Sequence, residues 1–385
     1  MISITDKHNC CGCSACSSIC PKHCITMQAD NEGFLYPLVD ASTCIDCGLC
    51  EKVCLMVNRQ EAVSPKFVCA AINCSDEIRA NSSSGGIFTM LAERILEQGG
   101  VVFGACFDKK WKVVHGYVGD EKTYEQKLQA LAKFRGAKYS QSIIGDTYLQ
   151  AREFLKEGRI VLFSGTGCQI AGLKLFLRKD YDNLLTIEIA CHGVPSPMVW
   201  RDYVQKVSNG SPLSKIVFRD KRNGWKGFVL LLVGTDGQDL MYERTTANDF
   251  MQCFLNDLCV RPSCTNCTAK SGASGADVLI GDFWGIEGMH PVMYDNKGCS
   301  LVIAFTEKGK TVFDSLDCKY VETTFEEAYR YNPCIVQSSH ESRYAPIFWL
   351  NYKKYGIDAI PKTLKLLKQS RIKRALRLLL FKLGL

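Results

Sequence analysis

The sequence predicts an α+β chain, a small cysteine-rich module followed by a mixed α/β body, and three observations carry that expectation. Two cysteine runs of identical spacing open the chain. A strand–helix–strand pattern occupies its middle. The length of 385 residues leaves far more chain than the cysteine runs need, enough for one or two ordinary domains with a real core.

The runs are Cys10-x-x-Cys13-x-x-Cys16-x-x-x-Cys20-Pro21 and Cys44-x-x-Cys47-x-x-Cys50-x-x-x-Cys54. This is the spacing with which bacterial-type ferredoxins hold two [4Fe–4S] clusters: three thiols of a tight loop face one cube, and the fourth ligates the other. Cys10, Cys13, Cys16 and Cys54 are therefore expected at one cluster, and Cys44, Cys47, Cys50 and Cys20 at the second. A pair of zinc knuckles is the competing reading, but zinc sites combine C-x-x-C pairs and have no use for the third and fourth thiols at this spacing. Leu55 stands where the second run would carry its proline, which affects the turn and leaves the ligand count intact. Cys11 and Cys24 fit no ligand position and are left as spares.

Composition is globular, with 46% hydrophobic and 23% charged residues, and cysteine is the outlier at 22. A secreted disulfide scaffold would account for many cysteines, but Met1 to Asp6 contains no apolar signal segment. A reducing, cytoplasmic setting is expected, with the thiols serving as metal ligands or small buried apolar groups. No apolar run approaches the about 18 residues of a membrane span. The net charge of +7 comes from the end of the chain: Pro361 to Leu385 carries eight Lys or Arg and no acid. The body is thus close to neutral, which argues against a broad nucleic-acid-binding face.

Taken in order, residues 1–62 form the cluster module, with Met27 to Asp40 as a hairpin between the runs and Glu61 to Pro65 as a linker. Residues 63–150 open with Asn81-Ser82-Ser83-Ser84-Gly85-Gly86 leading into an amphipathic helix from Ile87. Free N–H groups and glycines there suit a phosphate; a serine N-cap explains the same residues. Strands are expected at Val101 to Phe107 and Trp111 to Val118, and a helix from Thr123 to Lys133. The loop Lys138-Tyr139-Ser140-Gln141-Ser142 mixes a cation, a ring and hydroxyls, as a cofactor edge or an ordinary connection would.

Residues 151–335 contain the βαβ unit. Its parts are a strand at Arg159 to Phe163, a turn at Ser164-Gly165-Thr166-Gly167-Cys168, a helix to Leu177, and a strand from Leu184 ending at Cys191-His192. Such strands are parallel and neighbouring, so Cys168 and Cys191 fall past adjacent carboxyl ends, the edge where open sheets bind ligands. Further strands are expected at Ile216 to Arg219, Trp225 to Val233 and Ala276 to Ile280. Cys264-x-x-Cys267 supplies two more thiols, and Cys168, Cys191, Cys264 and Cys267 together would ligate a third [4Fe–4S] cluster. A redox-active C-x-x-C with two core cysteines is the alternative. In residues 336–385, Ile372, Ala375, Leu376, Leu379 and Leu383 share one helical face, with Lys373, Arg374, Arg377 and Lys382 off it. A basic amphipathic helix either lies on an anionic membrane surface, here the inner face, or docks on the body.

These residues resemble the coenzyme F420 hydrogenase/dehydrogenase beta-subunit family with an N-terminal two-cluster ferredoxin domain. The resemblance is carried in order by Ser83-Ser84-Gly85-Gly86, Lys138 to Ser142, Gly165-Thr166-Gly167-Cys168-Gln169, Cys191 to Ser196, Arg261-Pro262-Ser263-Cys264 with Cys267, Gly281-Asp282-Phe283-Trp284-Gly285, and Lys297 to Ser300. Gly167 departs from the family, which usually has proline there. The resemblance implies a flavin-binding body: FAD beside the third cluster, held by Ser83, Ser84, Gly85, Gly86, Lys138, Tyr139, Gln141, Ser142, Gly165, Thr166, Asp282 and Trp284. It implies an oxidoreductase passing electrons between a ferredoxin-like or F420-type carrier and a small-molecule substrate, or else an electron-transfer subunit of a partner enzyme. No acid or base stands out. Lys138 and Asp282 are the candidates for proton donation near a flavin.

Overall fold

The computed structural model describes residues 1–382, without the side chains of residues 371 and 373–382. The module opens on a hairpin of β1 (Ile25–Ala29) and β2 (Leu35–Val39). Short helices Ala15–Ile19 and Leu49–Lys52 follow the first thiols of each cysteine run.

The body holds β3 (Phe67–Asn73), β4 (Val101–Phe107), β5 (Val113–Val118), β6 (Val161–Thr166) and β7 (Leu184–Ile189). β8 (Leu213–Asp220), β9 (Val229–Gly234), β10 (Asp239–Arg244), β11 (Val278–Asp282), β12 (Ser300–Ala304) and β13 (Cys318–Glu322) complete it. Eight of these form one mixed sheet in the order β13-β3-β12-β11-β7-β6-β4-β5. Its centre, β4, β6, β7 and β11, is parallel, and its flanks are antiparallel. The expected βαβ unit is present: β6 and β7 pair in parallel from Val161↔Leu184 to Thr166↔Ile189, joined by helix Gly167–Leu177. Strands from 63–150 and from 151–335 are therefore interleaved in one sheet.

Alternation along β4 sends Val102 to one face and Phe103 to the other, each fully buried. On the Phe103 face, Tyr148, Phe163, Ile170 and Phe176 make a core that also takes in Cys11, Cys13, Ala15, Val53 and Leu55 from the module. The module thus shares a hydrophobic core with the body. Helix Ile87–Glu97 covers the opposite face through Ile87, Leu91 and Ile95.

β10-β9-β8 form a second sheet, packed by Trp200, Phe218 and Phe250 and by Leu364 and Leu367 of the terminal helix Ala359–Lys382. That helix therefore docks its first turns on the body. Ile372 is exposed, and the other members of its expected apolar and basic faces lie outside the described residues. Among the described residues no helix is long and apolar enough to cross a membrane.

One strand differs from expectation. β9 begins at Val229, while Trp225 sits in a turn where Gly224 has φ +81° and the Trp225 N–H donates to Asn296 O at 2.7 Å.

Candidate functional site

The cysteines gather in three places. Cys20, Cys44, Cys47 and Cys50 line one pocket with Cys24, Pro21 and Ile25; Cys47 is exposed and Cys50 buried. The Cys20 and Cys24 thiols are 3.3 Å apart, so Cys24 belongs to this group although its spacing gave no sign of it.

Cys10, Cys16 and Cys54 form the second group, deeper in the module. Burial first, then the nearness of Cys10 and Cys54, pushes the Cys16 thiol up to about 12. Cys50 also acts on Cys16, so the two groups adjoin. Cys13 lies buried beside them, against helix Gly167–Leu177.

Cys168, Cys191, Cys264 and Cys267 line a single pocket with Cys11, Glu188, His192 and Lys270. Cys168 enters from the first turn of the helix after β6, Cys191 from just past β7, and Cys264 from the 3-10 turn Pro262–Asn266. The βαβ topology thus brings together thiols up to 99 positions apart in the chain. Burial raises the Cys264 thiol to about 12, and Cys168 and Cys267 add to that shift. A thiol held so high ionises only when a metal takes the proton's place.

Arg261 ties this last group to the module. It is fully buried. Its Nε donates to Cys10 O at 2.8 Å, Nη1 to Gln141 Oε1 at 2.9 Å and Nη2 to Leu35 O at 2.9 Å, while Nη2 lies 3.6 Å from Cys10 Sγ. The Tyr36 ring stacks 4.4 Å from its guanidinium carbon. Among the described residues no carboxylate pairs with it, and a buried guanidinium without a counter-charge is costly. Thiolates at Cys10 and its neighbours would supply that charge. Gly12 makes the approach possible: at φ +69°, a Cβ there would stand 2.7 Å from Arg261 Nη1.

Lys270 acts similarly at the third group, donating to Cys191 O at 2.5 Å and Cys334 O at 2.6 Å. Burial lowers its pKa, but Cys191, Cys267 and Cys334 outweigh that and leave it raised. Glu188 on β7 accepts from Ser274 Oγ at 2.5 Å, and burial pushes its carboxyl up to about 7. A Cβ at Gly167 would fall 2.6 Å from Glu188 Oε1. That carboxylate fills the space a proline ring would need, which gives a physical reason for glycine here.

The residues expected around a flavin separate into two sets. Gln141, Ser142, Gly165 and Thr166 sit at the third cysteine group. Gln141 Nε2 donates to Cys11 O at 2.9 Å, Gln169 Nε2 donates to Ser142 Oγ at 2.8 Å, and Thr166 Oγ1 lies 3.3 Å from Cys168 Sγ. Thr166 and Gln169 close a capping box at the start of the helix following Gly165.

Ser83 to Gly86, Tyr139, Asp282 and Trp284 gather near Arg219 and Lys221. Ser84 Oγ donates to Cys299 O at 2.6 Å, and a Cβ at Gly85 would fall 2.5 Å from Ala71 O. These two residues are therefore packed against the sheet. Gly86, at φ +85°, leads into helix Ile87–Glu97 without a side-chain cap. Asp282 pairs with Arg219 and accepts from Trp225 Nε1 at 3.0 Å, and Trp284 stacks on Trp225 at 4.8 Å. Lys221 Nζ donates to Ser84 O, Arg79 O and Lys297 O. Burial and the guanidinium groups of Arg219 and Arg79 bring it down to about 7.

Lys138 is engaged by three carbonyls, of Phe134, Arg135 and Gly136, and burial lowers it to about 8. Cys334 links the two sets: its carbonyl receives Lys270, and its thiol is close enough to feel Asp282. Ser83 Oγ, Ser140 Oγ and Arg219 Nε and Nη2 are buried without hydrogen-bond partners. Unsatisfied donors beside Tyr139, Trp225 and Trp284 fit an aromatic group bearing anionic or carbonyl oxygens, as FAD does.

Arg261, Lys270, Glu188, Arg219 and Lys221 were not singled out from sequence. Arg261 is 251 positions from Cys10, and only the fold brings them together.

Fold and cysteine geometry together define an iron–sulfur protein of oxidoreductase type. More particularly, the chain joins a 4Fe-4S dicluster domain, matched over residues 9–56, to the C-terminal domain of the coenzyme F420 hydrogenase/dehydrogenase beta subunit family, matched over residues 158–328. A chain in the xenon-derivatised F420-reducing [NiFe] hydrogenase complex from Methanosarcina barkeri is similar at 18% identity with a TM-score of 0.47. The match covers 79% of this chain and 92% of that one. No curated protein matches.

Proposed function

We propose that this chain is an iron–sulfur flavoprotein oxidoreductase that passes electrons between a ferredoxin-like or F420-type carrier and a small-molecule substrate. One observation carries the reading: the three cysteine groups form a series. The exposed Cys47 group adjoins the Cys10 group through Cys50 and Cys16, and Cys11 and Arg261 join the Cys10 group to the Cys168 group.

Residues 1–62 would hold two [4Fe–4S] clusters, on Cys10, Cys13, Cys16, Cys54 and on Cys20, Cys44, Cys47, Cys50. Cys168, Cys191, Cys264 and Cys267 would hold the third. In 63–335, FAD would be held between Ser83–Gly86 and the Lys138–Ser142 loop, with Gly165, Thr166, Asp282 and Trp284. When bound, the clusters supply single-electron transfer and the flavin supplies exchange of one or two electrons.

The protein's own part is to bind, orient and tune. Arg261 and Lys270 place fixed positive charge beside the thiolates, which favours the reduced state. Arg219, held by Asp282, turns two free N–H groups toward the proposed flavin site. Glu188 and Lys221, both titrating near neutrality, are the groups able to take or give a proton beside these sites. Lys138 keeps its proton on three carbonyls and serves the loop's shape.

The family's description as a beta subunit favours a second reading, an electron-transfer subunit of a partner enzyme. The test is reduction by a ferredoxin of the protein reconstituted with FAD, no partner present, while candidate substrates and F420 are screened. Turnover supports the enzyme. Full flavin reduction without turnover of any acceptor supports the subunit. Absence of flavin binding would defeat both.

A further inference from the structure

Cys11 belongs to none of the three four-cysteine sets, yet it stands between two of them. Its side chain is buried, in the same core as Cys13 and against Cys168. The thiol is hydrogen-bonded to both Cys13 and Cys168. Its carbonyl is fixed by Gln141 Nε2, which the Arg261 guanidinium holds in turn through Gln141 Oε1. Helix Gly167–Leu177 permits the approach: a Cβ at Gly172, one turn after Cys168, would fall 2.9 Å from both Cβ and Sγ of Cys13. Only a glycine lets the first cysteine run lie this close to the helix that carries Cys168.

We infer that Cys11 is a positioning residue whose single S–H is shared between a ligand of the first cluster and a ligand of the third, coupling their reduction. The inference rests on the proposed ligation of clusters by both sets. One electron from a low-potential reductant such as dithionite enters either site and makes its thiolates more negative. No bond to sulfur forms or breaks, and the proton stays on Cys11 Sγ. Its hydrogen bond turns to whichever of Cys13 and Cys168 carries more charge. Hydrogen bonds to cluster sulfurs stabilise the reduced state. The first electron therefore gains the donor, and the second must enter a site from which the donor has been withdrawn. The two sites resist simultaneous reduction, and their midpoints are held apart.

The test uses the full chain, purified anaerobically, with iron quantified and the midpoints followed by EPR during a dithionite titration. Cys11→Ala removes the donor, and Cys11→Ser keeps one of similar size. With iron content unchanged, Cys11→Ala lowers the higher midpoint by about tenfold in its reduction equilibrium, about 59 mV for one electron, and narrows the gap. Cys11→Ser keeps the gap. An unchanged gap in Cys11→Ala, or equal narrowing in both variants, overturns the inference. Loss of about four irons in either variant also overturns it, because Cys11 would then be a ligand. Unaltered protein holding about eight irons would instead defeat the third-cluster reading itself, before any variant is made.

Discussion

Replacing Arg261 should disturb two quantities of different kinds. The side chain is fully buried, donates to two module carbonyls and to Gln141, and sets Nη2 3.6 Å from Cys10 Sγ. In Arg261→Met the methylene stem is largely kept, and the carbonyls of Cys10 and Leu35 and the oxygen of Gln141 lose their donors. Each orphaned acceptor costs roughly 1–3 kcal/mol, so the contact between module and body should weaken by about 3–5 kcal/mol. The electrostatic effect is separate. A unit charge about 6 Å from the charge added on reduction, at an effective dielectric of about 20, is worth about 3 kcal/mol. For one electron that is about 100 mV, so the midpoint of the cluster at Cys10 should fall by roughly this amount. Potentiometric EPR on anaerobically purified protein measures it, with Arg261→Lys as the control that keeps charge and loses the bidentate geometry. Arg261→Lys should recover most of the midpoint and little of the stability. A midpoint within about 20 mV of the parent in Arg261→Met, with iron content intact, would refute the assignment of Arg261 as the counter-charge of the first cluster.

Gly12→Ala should lower iron content at the first site, since its Cβ would meet Arg261 Nη1 at 2.7 Å from a left-handed backbone; iron per chain against the parent checks this. Asp282→Asn leaves Arg219 buried without its partner and should cost about 3–5 kcal/mol in anaerobic urea unfolding. Glu188 binds its proton more tightly folded than unfolded, so it contributes a loss of stability as pH rises from about 4.5 to about 7, levelling off above. Glu188→Gln should remove up to about 3 kcal/mol of that decline, read from unfolding midpoints across the range. Lys270→Met should lower the midpoint of the third cluster while leaving the module's EPR signals in place, because Lys270 touches only the Cys191 side.

The eight cysteines of the module were legible because their geometry is local: a cube's ligands must recur at short fixed intervals. Cys168 and Cys191 were legible at one remove, since a βαβ unit forces neighbouring carboxyl ends, and β6 and β7 pair as that rule requires. What sequence could not show is contact across the fold. Cys11 and Cys24 looked idle because their partners, Cys168 for one and Cys20 for the other, are set by packing and side-chain direction, not by interval. Arg261 was visible only as part of a motif. Its role depends on the module docking on the same face of the sheet as helix Gly167–Leu177. The loop from Lys138 to Ser142 read as one polar edge, yet its side chains diverge. Lys138 closes back on its own loop, Tyr139 packs on Phe218 and Phe254, and Gln141 turns to the module. Alternation of side-chain direction in an extended segment does this, and composition does not record it.

The most direct measurement is the iron, sulfide, zinc and flavin content of anaerobically purified protein, with visible spectra before and after dithionite. Three cubanes and a flavin predict about twelve irons, matching sulfide, no zinc and one FAD per chain, with bleaching on reduction. About eight irons would remove the cluster at Cys168, Cys191, Cys264 and Cys267, and zinc without flavin would contradict the redox reading of the whole chain.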